Sequence, residues 1–172
     1  MEWLSRLLGR SHTGCRGTLQ AIYVAERAGE PMREMPSAEI TMEGLDGDRY
    51  ARGDGFWKAT DGCQVTLIAE EDLSRAQRRS GIPLAHGEHR RNLVVGGLAI
   101  ASMEHRQLRI GAAVLTWLRP RPPCGYLDSI TRPGTAKALG RRSGICLRVV
   151  SGGTIRVGDA VEIIHTPDRR RG

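Results

Sequence analysis

The sequence predicts a mainly β protein, a barrel of short strands with a few peripheral helices. Three observations carry that expectation. Glycine and proline are abundant in the 172 residues, at Gly 22 and Pro 8, which suits strands joined by tight turns. Apolar β-forming runs recur at short intervals with glycine punctuation between them. A single stretch carries the signals of a long helix. The hydrophobic fraction of 40% and the chain length suit one domain with its own core. Its expected organisation is an N-terminal extension over 1–16, a folded domain over 17–165 and a basic tail over 166–172.

The elements follow in order. Residues 17–25 are rich in β-formers, and residues 38–43 alternate apolar and polar side chains, the period of a half-buried strand. Residues 64–68 form a compact apolar run suited to a central strand. The spacing predicts a helix over 69–79, with Glu70, Glu71 and Asp72 in its first turn, Arg78 and Arg79 in its last, and Gly81 and Pro83 to stop it. Strands are expected again at 92–95, at 108–110 and 113–118 around Gly111 as a hairpin, at 145–150 and at 160–164. The stretch from Gly125 to Arg142 reads as loop and short helix. This gives about seven strands and one long helix, without the strand–helix alternation of a doubly wound sheet, and without a GxGxxG or P-loop motif.

Composition narrows the function. No apolar run is long enough to cross a bilayer. Residues 1–9 are too short and too interrupted by charge for a signal peptide, and Trp3, Leu4, Leu7 and Leu8 suit a turn or two of amphipathic helix instead. A cytoplasmic location is the expectation. Cys15, Cys63, Cys124 and Cys146 form no CxxC pair, and in a reducing compartment each is judged as a separate thiol. The net charge is +7 and the pI about 9.9, part of it in the run Arg169–Arg171. Trp 3, Tyr 3 and Phe 1 are too few for base-stacking platforms, so a small anionic ligand is favoured over nucleic acid as the reason for the charge.

Three segments can carry chemistry. In Arg119–Gly125, three prolines stiffen the backbone ahead of Cys124 and Gly125 permits a sharp turn after it. Arg119 and Arg121 bring positive charge, which favours a thiolate over a thiol. A small apolar loop residue is the competing reading, and position alone does not separate the two. Cys146 reads as core, Cys63 as a distant second candidate and Cys15 as incidental. In 88–95, Arg90, Arg91 and Asn92 stand just before an apolar strand, where guanidinium groups can grip a phosphate and an amide can read a ring edge or order a loop. In 44–51, Asp46, Gly47 and Asp48 make a tight turn, and Arg49 is expected to be structural. The five histidines show no ligand spacing, so no metal site of protein ligands alone is expected.

Taken in order, Gly47–Ala51, Val65–Glu70, Arg90–Val95, Leu108–Gly111, Pro122–Cys124, Gly144–Val150 and Gly153–Asp159 resemble the MOSC domain family, named for the C-terminal domain of molybdenum-cofactor sulfurases. The resemblance spans about Gly17 to Ile164. It implies a MOSC-type β-barrel with a cysteine in a surface cleft. In sulfurases the domain handles sulfur for the molybdenum cofactor, and in amidoxime-reducing relatives the matching cysteine ligates molybdenum carried by a pyranopterin. Cys124 takes that cysteine's position. Arg90 and Asn92 match the family's pterin-binding Arg-x-Asn element, Asp61 falls near an acidic residue at the cofactor mouth, and Arg91 and Arg121 join the expected cofactor-binding set. The chain has no room for the pyridoxal-phosphate domain of full sulfurases, so that cofactor is not expected.

Two readings lead. In the first, Cys124 completes the coordination of molybdenum-pyranopterin, and N-hydroxylated compounds are reduced with electrons from a partner protein. In the second, Cys124 carries sulfur as a persulfide, received from a cysteine desulfurase, for metal–sulfur cofactor assembly. A nucleic-acid-binding barrel ranks well behind both.

Overall fold

The computed structural model describes residues 16–55 and 62–164. In chain order these form β1 (Arg16–Val24), β2 (Arg33–Met35), β3 (Ser37–Thr41), β4 (Gly44–Leu45), β5 (Val65–Ala69), α1 (Glu70–Ser80), β6 (Leu93–Gly96) and α2 (Ile100–Met103). Then come β7 (Gln107–Ile110), β8 (Ala113–Pro120), α3 (Gly125–Ile130), α4 (Thr135–Leu139), a short 3-10 turn, β9 (Ile145–Ser151), β10 (Gly153–Arg156) and β11 (Ala160–Ile164).

The main sheet runs β11-β7-β8-β9-β5-β6-β1-β2, and β11 also pairs with β1. That last pairing closes seven strands into a barrel and leaves β2 as a flap on β1. Closure removes the open edges that a seven-stranded sheet would otherwise expose. The predicted hairpin is present, with Ile110 opposite Ala113 and a two-residue connection at Gly111, where φ is +53°. A second, three-stranded sheet (β10-β3-β4) lies outside the barrel.

The core has two compartments, and β5 explains why. Val65 and Leu67 point into the barrel with Leu19, Leu93, Leu115 and Leu147. Ile68 points outward, where Leu73 and Ala76 of α1, Leu127 of α3 and Leu139 of α4 cover it. All five residues of β5 are buried, as in a strand covered on both faces, and its one polar side chain, Thr66, is bonded to Asn92. The strand pairs parallel to β6 through α1, one strand–helix–strand crossover within an otherwise antiparallel barrel. Helix α1 carries its acidic first turn and basic last turn as expected, and Gly81 ends it by donating its N–H to the Gln77 carbonyl (2.8 Å).

Gly144 sets how closely the segment before β9 approaches β5. Its φ is +99°, and a Cβ there would stand 2.3 Å from the Leu67 carbonyl oxygen. Gly144→Ala is therefore expected to lower stability by about 2 kcal/mol or more, from backbone strain plus a rigid clash. Chemical denaturation of the variant beside the parent measures it, and an unchanged midpoint would refute the constraint.

Candidate functional site

The turn leading into β6 is the organising feature. Arg90 donates its backbone N–H to the Gly87 carbonyl (2.9 Å) and adopts φ +61°, a left-handed conformation that costs a non-glycine residue about 1 kcal/mol or more. The Arg91 N–H donates to Nδ1 of His89 (2.9 Å), which is fully buried and stacks edge-on against Tyr23. Burial first, then the charges of Arg91 and Arg90, hold the His89 pKa down at about 3, so the imidazole is neutral and serves as a structural acceptor.

This turn delivers two arginines to a cleft that also receives Arg49, Tyr50, Arg121, Cys124 and Tyr126. The cleft is tight, with about 40 Å³ of free space, roughly what two or three waters occupy. Arg49 is held by Asp48 (3.1 Å) and lies 4.7 Å over the Tyr50 ring. Asp48 in turn accepts from the backbone N–H groups of Ala25 (3.0 Å) and Tyr50 (3.1 Å). Arg121 donates to the Tyr50 hydroxyl (2.8 Å). Burial pushes the Tyr50 phenol up from its ordinary value, against the pull of Arg121 and Arg49, so it stays protonated.

Among the described residues, Arg90 and Arg91 have no ion pair. Arg91 is fixed by protein acceptors, with Nε on the Ser143 carbonyl (2.6 Å) and Nη2 on the Ser143 hydroxyl (2.5 Å). Arg90 donates through Nη1 to the Glu30 carbonyl, while its Nε is buried without a partner. Both pKa values are lowered to about 10, by burial first and then by neighbouring guanidinium groups, Arg49 for Arg90 and Arg121 for Arg91. Both remain cationic at neutral pH. Crowded, desolvated cations of this kind suit an anion.

Cys124 stands at the mouth, half-buried, on backbone that is extended (φ −137°, ψ 165°) and fixed by Pro122 and Pro123. Its carbonyl accepts the Leu127 N–H (2.9 Å) and starts α3. Gly125 does not make the sharp turn expected of it: it begins α3 without a positive φ. A Cβ at Gly125 would meet nothing within 4 Å, so the surface beside the thiol is open.

The structure brings Arg90, Arg91, Arg121 and Cys124 together and separates Asn92 from them. Asn92 is fully buried with its amide committed inside the fold, so it is a strut and not a lining group. Its Oδ1 accepts from the Thr66 N–H (3.1 Å) and hydroxyl (2.8 Å), and its Nδ2 donates to the Tyr23 carbonyl (3.1 Å). Asp61, Cys15 and the tail arginines lie outside the described residues. Arg119 sits in β8 and does not line the cleft. Cys146 is buried in β9, and Cys63 is buried with Sγ 3.8 Å from the Val65 carbonyl. Arg49, expected to be structural, both pairs with Asp48 and lines the cleft, while Tyr50 and Tyr126 are lining residues that sequence reasoning missed. The one available signal was that Tyr50 directly follows Arg49 in the Asp-Arg-Tyr run. Among the described residues, no group of three or more His, Cys, Asp or Glu converges as a metal site, and no helix is long and apolar enough to cross a membrane.

Fold and site together define a closed-barrel domain with a loop thiol beside a cationic cleft. The model of the MOSC domain matches residues 41–162, and the chain belongs to the MOSC domain family. Its fold is similar to that of the YuaD protein from Bacillus subtilis, at a TM-score of 0.74 and 17% identity, covering 88% of this chain and 97% of that one. YiiM from Geobacillus stearothermophilus aligns at a TM-score of 0.66 and 18% identity, covering 87% and 75%. YiiM from Escherichia coli aligns at 0.63 and 18%, covering 88% and 71%. A search of curated proteins finds no match.

Two variants test the wiring. Asn92→Ala strands buried partners on β1 and β5 and is expected to cost about 2–4 kcal/mol in denaturant unfolding. Anion affinity of the folded fraction should be retained; a selective loss of affinity without loss of stability would make Asn92 a ligand contact after all. For His89 the folded pKa is depressed, so the unfolded chain takes up a proton first. Stability contributed by the neutral ring is full above the unfolded value near 6.5 and is lost as pH falls toward about 3. Between pH 6 and pH 4 the parent should lose about 1.4 kcal/mol per pH unit more than His89→Asn, which keeps an acceptor for Arg91 but cannot titrate. Parallel slopes would refute this.

Proposed function

We propose that this chain binds an anionic, phosphate-bearing cofactor of the molybdenum-pyranopterin type, with Cys124 as the protein's ligand to the metal. The observation that carries the reading is the pairing of a half-exposed thiol with buried Arg90 and Arg91, which lack a carboxylate among the described residues. The fit can be judged on Arg90: its buried Nε has no partner in the protein, and an anionic oxygen would supply one.

The residues divide the work. Arg90 and Arg121 would meet the anionic groups, while Arg91, held by Ser143, contributes fixed positive charge. Asp48 and Tyr50 hold Arg49 and Arg121 apart and aimed. The free space of about 40 Å³ suits a phosphate-sized group, with the remainder of a larger molecule lying at the open mouth beside Gly125. Such a cofactor supplies two-electron redox chemistry, which in the relatives this sequence resembles reduces N-hydroxylated compounds. Electrons would then come from a partner protein.

A second reading is favoured by the exposure of Cys124. A thiolate at an open mouth can attack the outer sulfur of a desulfurase persulfide, forming the Cys124 persulfide and releasing the donor's cysteine thiolate. The same cleft would then receive the anionic acceptor.

Elemental and mass analysis of protein from a cofactor-competent host, beside Cys124→Ser, separates the two. Molybdenum near one per chain in the parent and a loss of about tenfold or more in the variant supports the first reading. A reducible mass increase of one sulfur on Cys124, without metal, supports the second. Absence of both overturns the proposal.

A further inference from the structure

A second basic feature lies away from the cleft. Helices α1 and α4 and the turn after α4 enclose a groove of about 820 Å³, some twentyfold larger than the free space beside Cys124. Its rim carries Arg75, Arg79, Lys137, Arg141 and Arg142. Asp72 is the acid on that rim, shared by Arg75 (2.7 Å) and Arg142 (3.4 Å). Among the described residues, Arg79, Lys137 and Arg141 have no ion pair, and all three are exposed. The floor is apolar, with Ala76, Ile82 and Leu139.

We infer that this groove docks an acidic protein segment whose apolar residues reach the floor while its carboxylates meet the rim. Charge complementarity selects the acidic partner. The apolar floor selects a protein over a nucleic-acid backbone, and among the described residues no aromatic side chain lines the groove to stack a base. The groove and the cleft share no lining residue, and packed helices link the two. Asp128 of α3 accepts the Ala136 N–H at the start of α4 (2.7 Å), and Leu127 of α3 packs with Leu139 while lining the Cys124 cleft. A partner seated there touches α4, which is bonded to α3, the helix that starts at Cys124. The inference deepens the proposed function, on which it rests for the need of a donor protein, by naming the chemistry of that donor's surface.

The test uses the full chain and a fluorescein-labelled amphipathic helical peptide with glutamates on one face and leucines on the other. Binding is read by anisotropy at about 0.15 M salt, where diffuse surface attraction is largely screened. The variant Arg79→Glu/Lys137→Glu/Arg141→Glu should weaken binding by about tenfold or more, and the matching triple glutamine variant by less. Circular dichroism of both guards against misfolding. A control of equal charge change on other faces, Arg33→Glu/Arg109→Glu/Arg156→Glu, should bind within about twofold of the parent. No binding by the parent, or equal loss in the control, overturns the inference. So does groove-dependent binding of a duplex oligonucleotide or of phosphatidylserine vesicles that displaces the peptide. Cys124→Ser should bind as the parent does, so a failed cofactor assay with intact peptide binding would count against the cofactor reading alone.

Discussion

Asn92 ties β1, β5 and β6 at one buried point, and the cleft is arranged outward from that knot. Its carboxamide takes both donors of Thr66 and gives one to Tyr23, while its own N–H donates to the Thr66 hydroxyl (3.0 Å) and its carbonyl accepts the Tyr23 N–H (2.7 Å). A polar group this deep is tolerable because each of its polar atoms has a partner. Next to it in sequence, the Arg91 guanidinium reaches Ser143, and Arg90 takes a left-handed conformation with its N–H on the Gly87 carbonyl.

Burying those cations runs against stability. Desolvation and mutual repulsion lower the pKa values of Arg90 and Arg91 to about 10, which means the folded state disfavours their charge relative to water. Such an arrangement is sustained here by rigid surroundings: the Asp48–Arg49 pair anchored on Ala25 and Tyr50, the Ser143 clamp on Arg91, and the close approach of Gly144 to Leu67. An anion entering the cleft relieves the same repulsion, so ligand affinity and the internal strain of the site are two sides of one free-energy difference. This is why preorganisation is concentrated on the cationic wall, while Cys124 remains at the open rim.

The barrel was legible in the sequence because its strands are local patterns. Residues 64–68 announce a central strand by Val65, Leu67 and Ile68, and the helix over 69–79 announces its ends by charge and Gly81. Strands β2, β4 and β10 were not legible, since at two to four residues they are too short to show a period, and β10 in addition pairs with β3 across most of the chain. The site was half legible. Cys124 stood out by its prolines, and Arg90 and Arg91 by charge before an apolar strand. Asn92 misled because an amide at a strand mouth looks alike whether it faces a ligand or a neighbouring strand. Tyr50 was hidden because its role depends on Arg49 and Arg121, which the fold alone brings onto one wall.

The two basic features differ in scale, and that difference separates their physics. Beside Cys124, buried cations surround about 40 Å³ of free space, where low dielectric strengthens each contact and room is small. Between α1 and α4, cations rim an open groove with an apolar floor, where single charge contacts are weak and must be summed over a large partner. The tight site can discriminate chemistry, and the wide one can supply orientation. Helices α3 and α4 connect them through Leu127 and the Asp128 contact with Ala136, so a partner held at the groove would have its approach to the thiol set by packed secondary structure.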